Sequence, residues 1–223
     1  MDKLKDIFFN LTLTCNACGK ENEQGYFCKE CQDKIEYNLV FCDKCGRSVI
    51  NKEMFCNSCQ GKVLYFEKAR SVFRYTSPIS DMILAFKYSG KRYYSKIFAD
   101  ALAYTLLKEF SDTELIVNVP MHIKDRRKRG YNQTELICEQ LSKITGYKFV
   151  NSLLVKKRRT PRQATLSREE RRKNLLDAFE VVDKKAVKDR VVLIVDDCLT
   201  TGATIEVLSH KLKIGRASCR ERV

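Results

Sequence analysis

No apolar run in the 223 residues approaches the ~20 needed to cross a bilayer as a helix, and residues 1–10 lack the form of a signal peptide. Those two absences predict a cytoplasmic protein whose thiols stay reduced. Histidine is almost missing, with two residues in all, so it has no share in the cysteine pairs described below. Acidic side chains are in short supply: 28 Asp and Glu stand against 42 Lys and Arg, a formal net charge of +14. Eleven cysteines in a reducing compartment point to metal rather than to disulfides. The length suits one domain of ordinary size with a small appendage.

The positive charge is concentrated. The segment 122–130 carries Lys124, Arg126, Arg127, Lys128 and Arg129 against Asp125, and the segment 156–173 is richer still; together they hold +11 of the +14. A field of that kind suits a polyphosphate or a nucleic acid, with solvated loops as the plainer alternative.

Four C-x-x-C pairs fill the first sixty residues: Cys15/Cys18, Cys28/Cys31, Cys42/Cys45 and Cys56/Cys59. The segment repeats itself, with the first knuckle recurring after 27 residues and the second after 28. Each copy has a Gly directly after its first knuckle (Gly19, Gly46), which permits the tight turn that aims backbone N–H groups at thiolate sulfur. So short a segment has too little apolar mass for a core, and two structural Zn²⁺ ions, each held by four cysteines, would supply its folding energy. The repeat predicts sequential pairing, one ion per copy. Cross-braced pairing and iron–sulfur ligation are the alternatives.

The stretch Val191–Thr204, VVLIVDDCLTTGAT, organises the remainder. An apolar, β-branched run predicts a strand buried on both faces. Two carboxylates, Asp196 and Asp197, follow it, and then the small and hydroxyl-bearing residues Thr200, Thr201, Gly202, Ala203 and Thr204 lead into a helix. The N–H groups of such a turn and the helix dipole face an anion, and the carboxylates can accept hydrogen bonds from ribose hydroxyls. Val192–Thr204 resembles the 5-phosphoribosyl pyrophosphate (PRPP) signature of type I phosphoribosyltransferases.

Other elements are legible from pattern. Ala69–Tyr75 alternates like a strand, Ser77-Pro78 can open a helix through Phe86, and 87–91 breaks it. Ile97–Phe110 has helical spacing of apolar residues, and Leu115–Val119 is a second buried strand. A basic loop, Met121–Gln133, leads to a helix over Thr134–Ile144; Tyr147–Val150 and Ala178–Val182 are short strands. His122 is read as a polar loop residue. Lys87, Tyr88 and Lys91 could reach a ligand or simply face water. The run 156–174, with Lys156, Lys157, Arg158, Arg159, Arg162, Arg171 and Arg172, is too charged to pack and reads as a mobile flap or a groove wall for a nucleic-acid backbone. Residues 213–223, KIGRASCRERV, back-translate continuously into a common short-read sequencing adapter; the expectation is an assembly artefact beginning after about Leu212, with a following strand missing.

These pieces in this order resemble the ComF family, named for bacterial competence proteins. The resemblance is carried by the cysteine knuckles, by Phe73–Gly90, by V-P-M-H…R-G-Y-N-Q (Val119–Gln133), by Thr160–Asn174 and by the PRPP motif. It implies an α/β fold: a double zinc ribbon over 1–66, then a type I phosphoribosyltransferase-like, mostly parallel sheet with flanking helices over 67–212. It further implies a part in DNA uptake during natural transformation, with single-stranded DNA as a partner and a competence-machinery protein as another. In a PRPP-binding site Asp196 and Asp197 would hold the ribose hydroxyls and the Thr200–Thr204 turn the 5′-phosphate. Arg126, Arg127 and Arg129 would hold the pyrophosphate, with Mg²⁺ bridging ribose and pyrophosphate oxygens. A nucleic-acid module would use the basic loops with Tyr88, Tyr93, Tyr94 and Tyr131 as stacking surfaces. A Mg-dependent transferase of unknown acceptor is the catalytic alternative.

Overall fold

The computed structural model describes residues 14–23, 25–49, 55–160 and 175–214. Its centre is a parallel sheet of three strands in the order β2-β1-β5: β1 is Leu115–Asn118, β2 is Lys148–Phe149 and β5 is Val192–Val195. Every residue of β1 and β5 is buried. The alternation of a strand sorts their side chains onto two faces. Ile116, Leu193 and Val195 join one core with Ile83, Phe86, Phe98, Leu106 and Leu141. Those partners come from α2 (Ile79–Tyr88), α3 (Tyr94–Glu109) and α5 (Gln133–Thr145). Leu115, Val117, Val192 and Ile194 face a second core, completed by Ile205, Leu208 and Leu212 of α6 (Ala203–Ile214) and by a hairpin. Covered on both faces, these strands need an unbroken apolar run, which is how the sequence reads.

The hairpin contains the strand expected over Ala178–Val182, but its other strand departs from expectation. Leu154–Lys156 forms β3, antiparallel to β4 (Phe179–Val181), with Leu154 opposite Val181 and Lys156 opposite Phe179. Lys156 thus belongs to a packed strand and not to a mobile flap, because Leu154 and Phe179 anchor the pair in the second core. Arg162, Arg171 and Arg172 lie outside the described residues, as do 215–223. The stretch 121–133 is also not a plain loop. His122 Nδ1 accepts from the Lys124 N–H at 3.2 Å, starting a helix, α4 (Ile123–Arg129), that Gly130 ends in the left-handed conformation at φ 85°. Asp125 in its first turn and four basic residues in its last both suit the helix dipole.

The expected strand over 69–75 is extended chain that pairs elsewhere. Its backbone bonds go to the cysteine-rich half: Ala69 N–H to Lys44 O, Asn38 N–H to Val72 O and Arg74 N–H to Glu36 O, all at 2.9 Å. Loop 36–44, which leads into the Cys42/Cys45 knuckle, satisfies groups that a sheet neighbour would otherwise have met. Gly46 shows how closely the two halves approach, since a Cβ there would lie 2.4 Å from the Ala69 carbonyl oxygen. Near the first knuckle, Tyr26 hydroxyl bonds Asp100 of α3, and Tyr94 hydroxyl donates to Asn16 O at 2.7 Å. A four-residue helix, α1 (Lys29–Gln32), carries Cys31.

Candidate functional site: two cysteine clusters and an acid pair

The eight paired cysteines gather into two sets, Cys15/Cys18/Cys28/Cys31 and Cys42/Cys45/Cys56/Cys59, with the sulfurs of each set within 4.8 Å of one another. Recorded Sγ–Sγ separations are 3.8 Å for Cys18–Cys28 and 3.7 Å for Cys45–Cys56. The edge of a tetrahedron with zinc–sulfur bonds of ~2.3 Å is about 3.8 Å, so the donor set fits zinc. The pairing is the sequential one that the repeat predicted. Both copies fold the same way: Gly19 N–H donates to Cys15 O and Gly46 N–H to Cys42 O, each at 2.8 Å. Burial opposes ionisation of Cys15, but backbone N–H groups of Cys18, Cys28 and Ala17 outweigh it and lower the thiol to about 6. The same contest, won by the N–H groups of Cys45, Cys56 and Lys44, lowers Cys42 to about 7. Zinc takes its sulfur ligands as thiolates. In each set one thiol is lowered in this way, while burial and the neighbouring cysteines push another, Cys31 or Cys59, up.

The acid pair emerges where β5 ends. Because β1 and β5 are parallel and Asn118 lies opposite Val195, the chain leaving β1 toward α4 and the chain leaving β5 toward α6 depart from the same sheet edge. Asn132 and Thr134 fix the β1 end, donating to Val119 O at 3.0 and 2.8 Å. The site is therefore a crevice beyond the carboxyl ends of parallel strands. Asp196 Oδ1 accepts from Asp197 N–H at 2.9 Å. Burial pushes the Asp196 carboxyl up to about 7, and the neighbouring Asp197 charge adds to that, against opposition from Lys87 and Lys156.

The turn after the pair is held from both sides. Gly202 adopts φ 76°, Ala203 N–H donates to Thr201 Oγ1 at 3.4 Å, and Glu206 N–H donates to Gly202 O at 2.9 Å. Thr200 and Thr201 are exposed, whereas Gly202, Ala203 and Thr204 are half-buried. Arg47, the second residue after Cys45, donates from Nη2 to Thr200 O at 3.2 Å. A cavity of about 470 Å³ is lined by Gly46–Ser48, just past the Cys42/Cys45 knuckle, by Asp196–Leu199 and by Phe73, Ile83 and Phe86.

The three arginines of α4 differ in their commitments. Arg126 makes a two-pronged pair with Glu135, 3.0 Å on each side. Arg129 donates to Gln133 Oε1 at 2.7 Å with its guanidinium 5.3 Å from the Tyr88 ring centre. Arg127 is exposed. Arg159 reaches back to Asp125 of α4 at 2.7 Å, Arg158 lies 3.8 Å from Asp177, and Lys157 pairs with Glu180. Of the four tyrosines named as stacking surfaces, Tyr88 and Tyr93 are exposed, whereas Tyr94 and Tyr131 are core residues whose hydroxyls bond Asn16 O and Phe86 O.

Two cations at the site escaped the sequence reading in their actual role. Lys87 Nζ sits 2.6 Å from Asp197 Oδ1. Lys156 faces Asp196 and Asp125, whose charges oppose the fall in its pKa that burial causes. Lys87 sits in the last turn of α2, the only hint that its place is fixed; nothing local to Lys156 announces an acid partner forty residues away.

Comparisons with known proteins bear on the cysteine clusters and on the family. Residues 5–60 match the double zinc ribbon domain family. "Competence protein F" of Haemophilus influenzae is 30% identical over 206 residues, covering 89% of this chain and 83% of the relative. The chain belongs to the ComF family. Within that family, "DNA utilization protein YhgH" of Escherichia coli K12 is 28% identical over 212 residues, 92% of each chain. "Competence protein ComFC" of Streptococcus pneumoniae is 25% identical over 193 residues, 86% of this chain and 83% of the relative. Among the described residues no helix of this ComF-family chain is long and apolar enough to cross a membrane.

Proposed function

We propose that the protein binds PRPP or a related phosphoribosyl ligand on a type I phosphoribosyltransferase-like core and acts, together with single-stranded DNA, in DNA uptake in the cytoplasm. One observation carries the ligand: the acid pair and the threonine turn leave β5 beside the strand that feeds the basic helix α4. Asp196 and Asp197 accept from the vicinal ribose hydroxyls, and the N–H groups of Thr200–Thr204 at the start of α6 hold the 5′-phosphate. Arg127 and Arg129 take the pyrophosphate, while Arg126 braces the helix through Glu135. Mg²⁺ arriving with such a ligand supplies charge neutralisation between its phosphate oxygens. The names of the relatives, competence protein and DNA utilization protein, favour the role in DNA uptake. Exposed Tyr88 and Tyr93, with Arg129 and Lys91 respectively set over their rings, favour single strands, through stacking and phosphate contacts.

Calorimetric titration with Mg²⁺-PRPP tests the ligand: heat is expected from the native chain and none from Asp196→Asn/Asp197→Asn. Equal isotherms would discard the pocket. The cavity next to the pair favours a second reading, transfer to an acceptor lodged there. Release of pyrophosphate from PRPP on addition of an acceptor is its readout.

A further inference from the structure

Lys87 projects from the last turn of α2, and its ammonium lies 2.6 Å from Oδ1 of Asp197. Both side chains are largely withdrawn from water, at 20% and 15% exposed, so this is not a surface pair that salt would dissolve. Lys156 of β3 interacts electrostatically with the other carboxylate, Asp196, and with Asp125 of α4. The acid pair is therefore matched by two ammonium groups of its own chain, delivered by two separate elements.

We infer that Lys87 is a built-in counter-cation that keeps the Asp196–Asp197 pair from taking up a free divalent ion and reserves it for neutral hydroxyl donors, the vicinal diol of a sugar. The choice of diol rests on the PRPP reading. Two adjacent carboxylates without a counter-charge present the hard oxygen ligands that Mg²⁺ and Mn²⁺ favour. With an ammonium already on Asp197, an entering divalent ion must expel it or endure its repulsion at close range in a poorly hydrated crevice. A diol meets neither obstacle, because a carboxylate has about four acceptor sites and Lys87 occupies one. An ammonium carries three donors, so two of those on Lys87 remain for an anionic group of the same ligand. A divalent ion then enters with the phosphates of the ligand and not ahead of them. Lys87 acts here as a specificity-determining residue.

The experiment uses the full chain loaded with zinc and Mn²⁺ alone as the probe, with free Mn²⁺ read by electron paramagnetic resonance and no sugar phosphate present. The native protein and Lys87→Arg are expected to bind Mn²⁺ weakly. Lys87→Ala is expected to bind it at least tenfold more tightly, and Lys87→Ala/Asp197→Asn to fall back to the native level. Lys87→Gln, neutral and similar in length, is measured in parallel, so that a folding defect in one variant, seen as lost zinc, leaves the other to decide. Equal Mn²⁺ affinity in the native, Ala and Gln proteins would overturn the inference, as would tight binding by the native protein. The readout contains no PRPP, so its failure and a silent PRPP titration are separate results.

Discussion

Arg47 and Thr200, 153 residues apart in the chain, are joined by a hydrogen bond of 3.2 Å from a guanidinium nitrogen to a backbone carbonyl. Arg47 lies two residues past the Cys42/Cys45 knuckle, and Thr200 opens the turn beside the acid pair, so the second ribbon props the proposed phosphate turn. Arg47→Ala is expected to leave two zinc ions bound and to weaken Mg²⁺-PRPP about tenfold, the lower end for a bond to a charged group of ~1.5–3 kcal/mol. Titration beside a zinc assay checks both halves of that expectation.

Gly46 and Gly19 hold matching places in the two repeats, at φ 67° and 75°. A Cβ at Gly19 meets open space, whereas at Gly46 it meets the Ala69 backbone at 2.4 Å. Gly19→Ala is expected to cost about 1–2 kcal/mol for the left-handed backbone alone. Gly46→Ala adds overpacking of a further ~1–3 kcal/mol. Denaturant midpoints of the two variants measure the difference.

Asp196 gives a pH signature. Its carboxyl is pushed up to about 7 in the folded chain, chiefly by burial and then by Asp197, against ~3.9 when unfolded. Between those values the folded state holds the extra proton, so this group lowers stability as pH rises from about 4 to about 7, and its effect is level above that. Asp196→Asn, which retains an acceptor for the Asp197 N–H, is expected to be more stable than the native chain at pH 8, with the gap closing toward pH 5. Denaturant melts of zinc-loaded protein at both pH values check the sign.

The metal count follows from the two clusters. Two zinc ions per chain are expected, and one from Cys59→Ser. That variant is expected to lose the second ribbon and with it the Arg47 bond, whereas Cys31→Ser is expected to leave the Arg47 bond in place. Metal analysis of purified protein, followed by PRPP titration of each variant, tests the separation.

The exposed tyrosines separate the nucleic-acid contact from the pocket. Tyr88→Ala and Tyr93→Ala are each expected to lose ~1–3 kcal/mol of single-strand affinity. Mg²⁺-PRPP binding by Tyr93→Ala is expected to stay unchanged, whereas Tyr88→Ala also removes the ring under Arg129. Binding to single strands should also weaken steeply with salt. Fluorescence anisotropy of a labelled oligonucleotide at several salt concentrations reads both effects.

Much of this molecule is local enough to be read from its residues. The knuckle repeat carries its own pairing because each Cys–Gly turn closes on itself, and β1 and β5 advertise burial on both faces by their unbroken apolar runs. The acid pair is legible for the same reason: Asp196 and Asp197 end one of those runs. What escaped reading depends on distant partners. Ala69–Tyr75 alternates like a strand, yet its hydrogen bonds go to residues 36–44 of the zinc-binding half. The charge of Lys156 masks a strand residue whose ammonium lies over Phe179 at 5.3 Å and interacts with an acid, Asp196, far along the chain. Lys87 looks like any helix-end lysine until Asp197 is placed beside it.

The two ribbons repeat one another in sequence, but their docking is unequal. Where the second copy presents Arg47 to the Thr200 carbonyl, the first presents Lys20, which pairs with Glu30 inside its own ribbon. A chimaera built from two first copies would keep every sulfur ligand yet leave the acid-pair turn without its prop. The metal scaffold occurs twice over, yet among the described residues it is the second copy that lines the cavity beside the acid pair, and the two are not interchangeable parts.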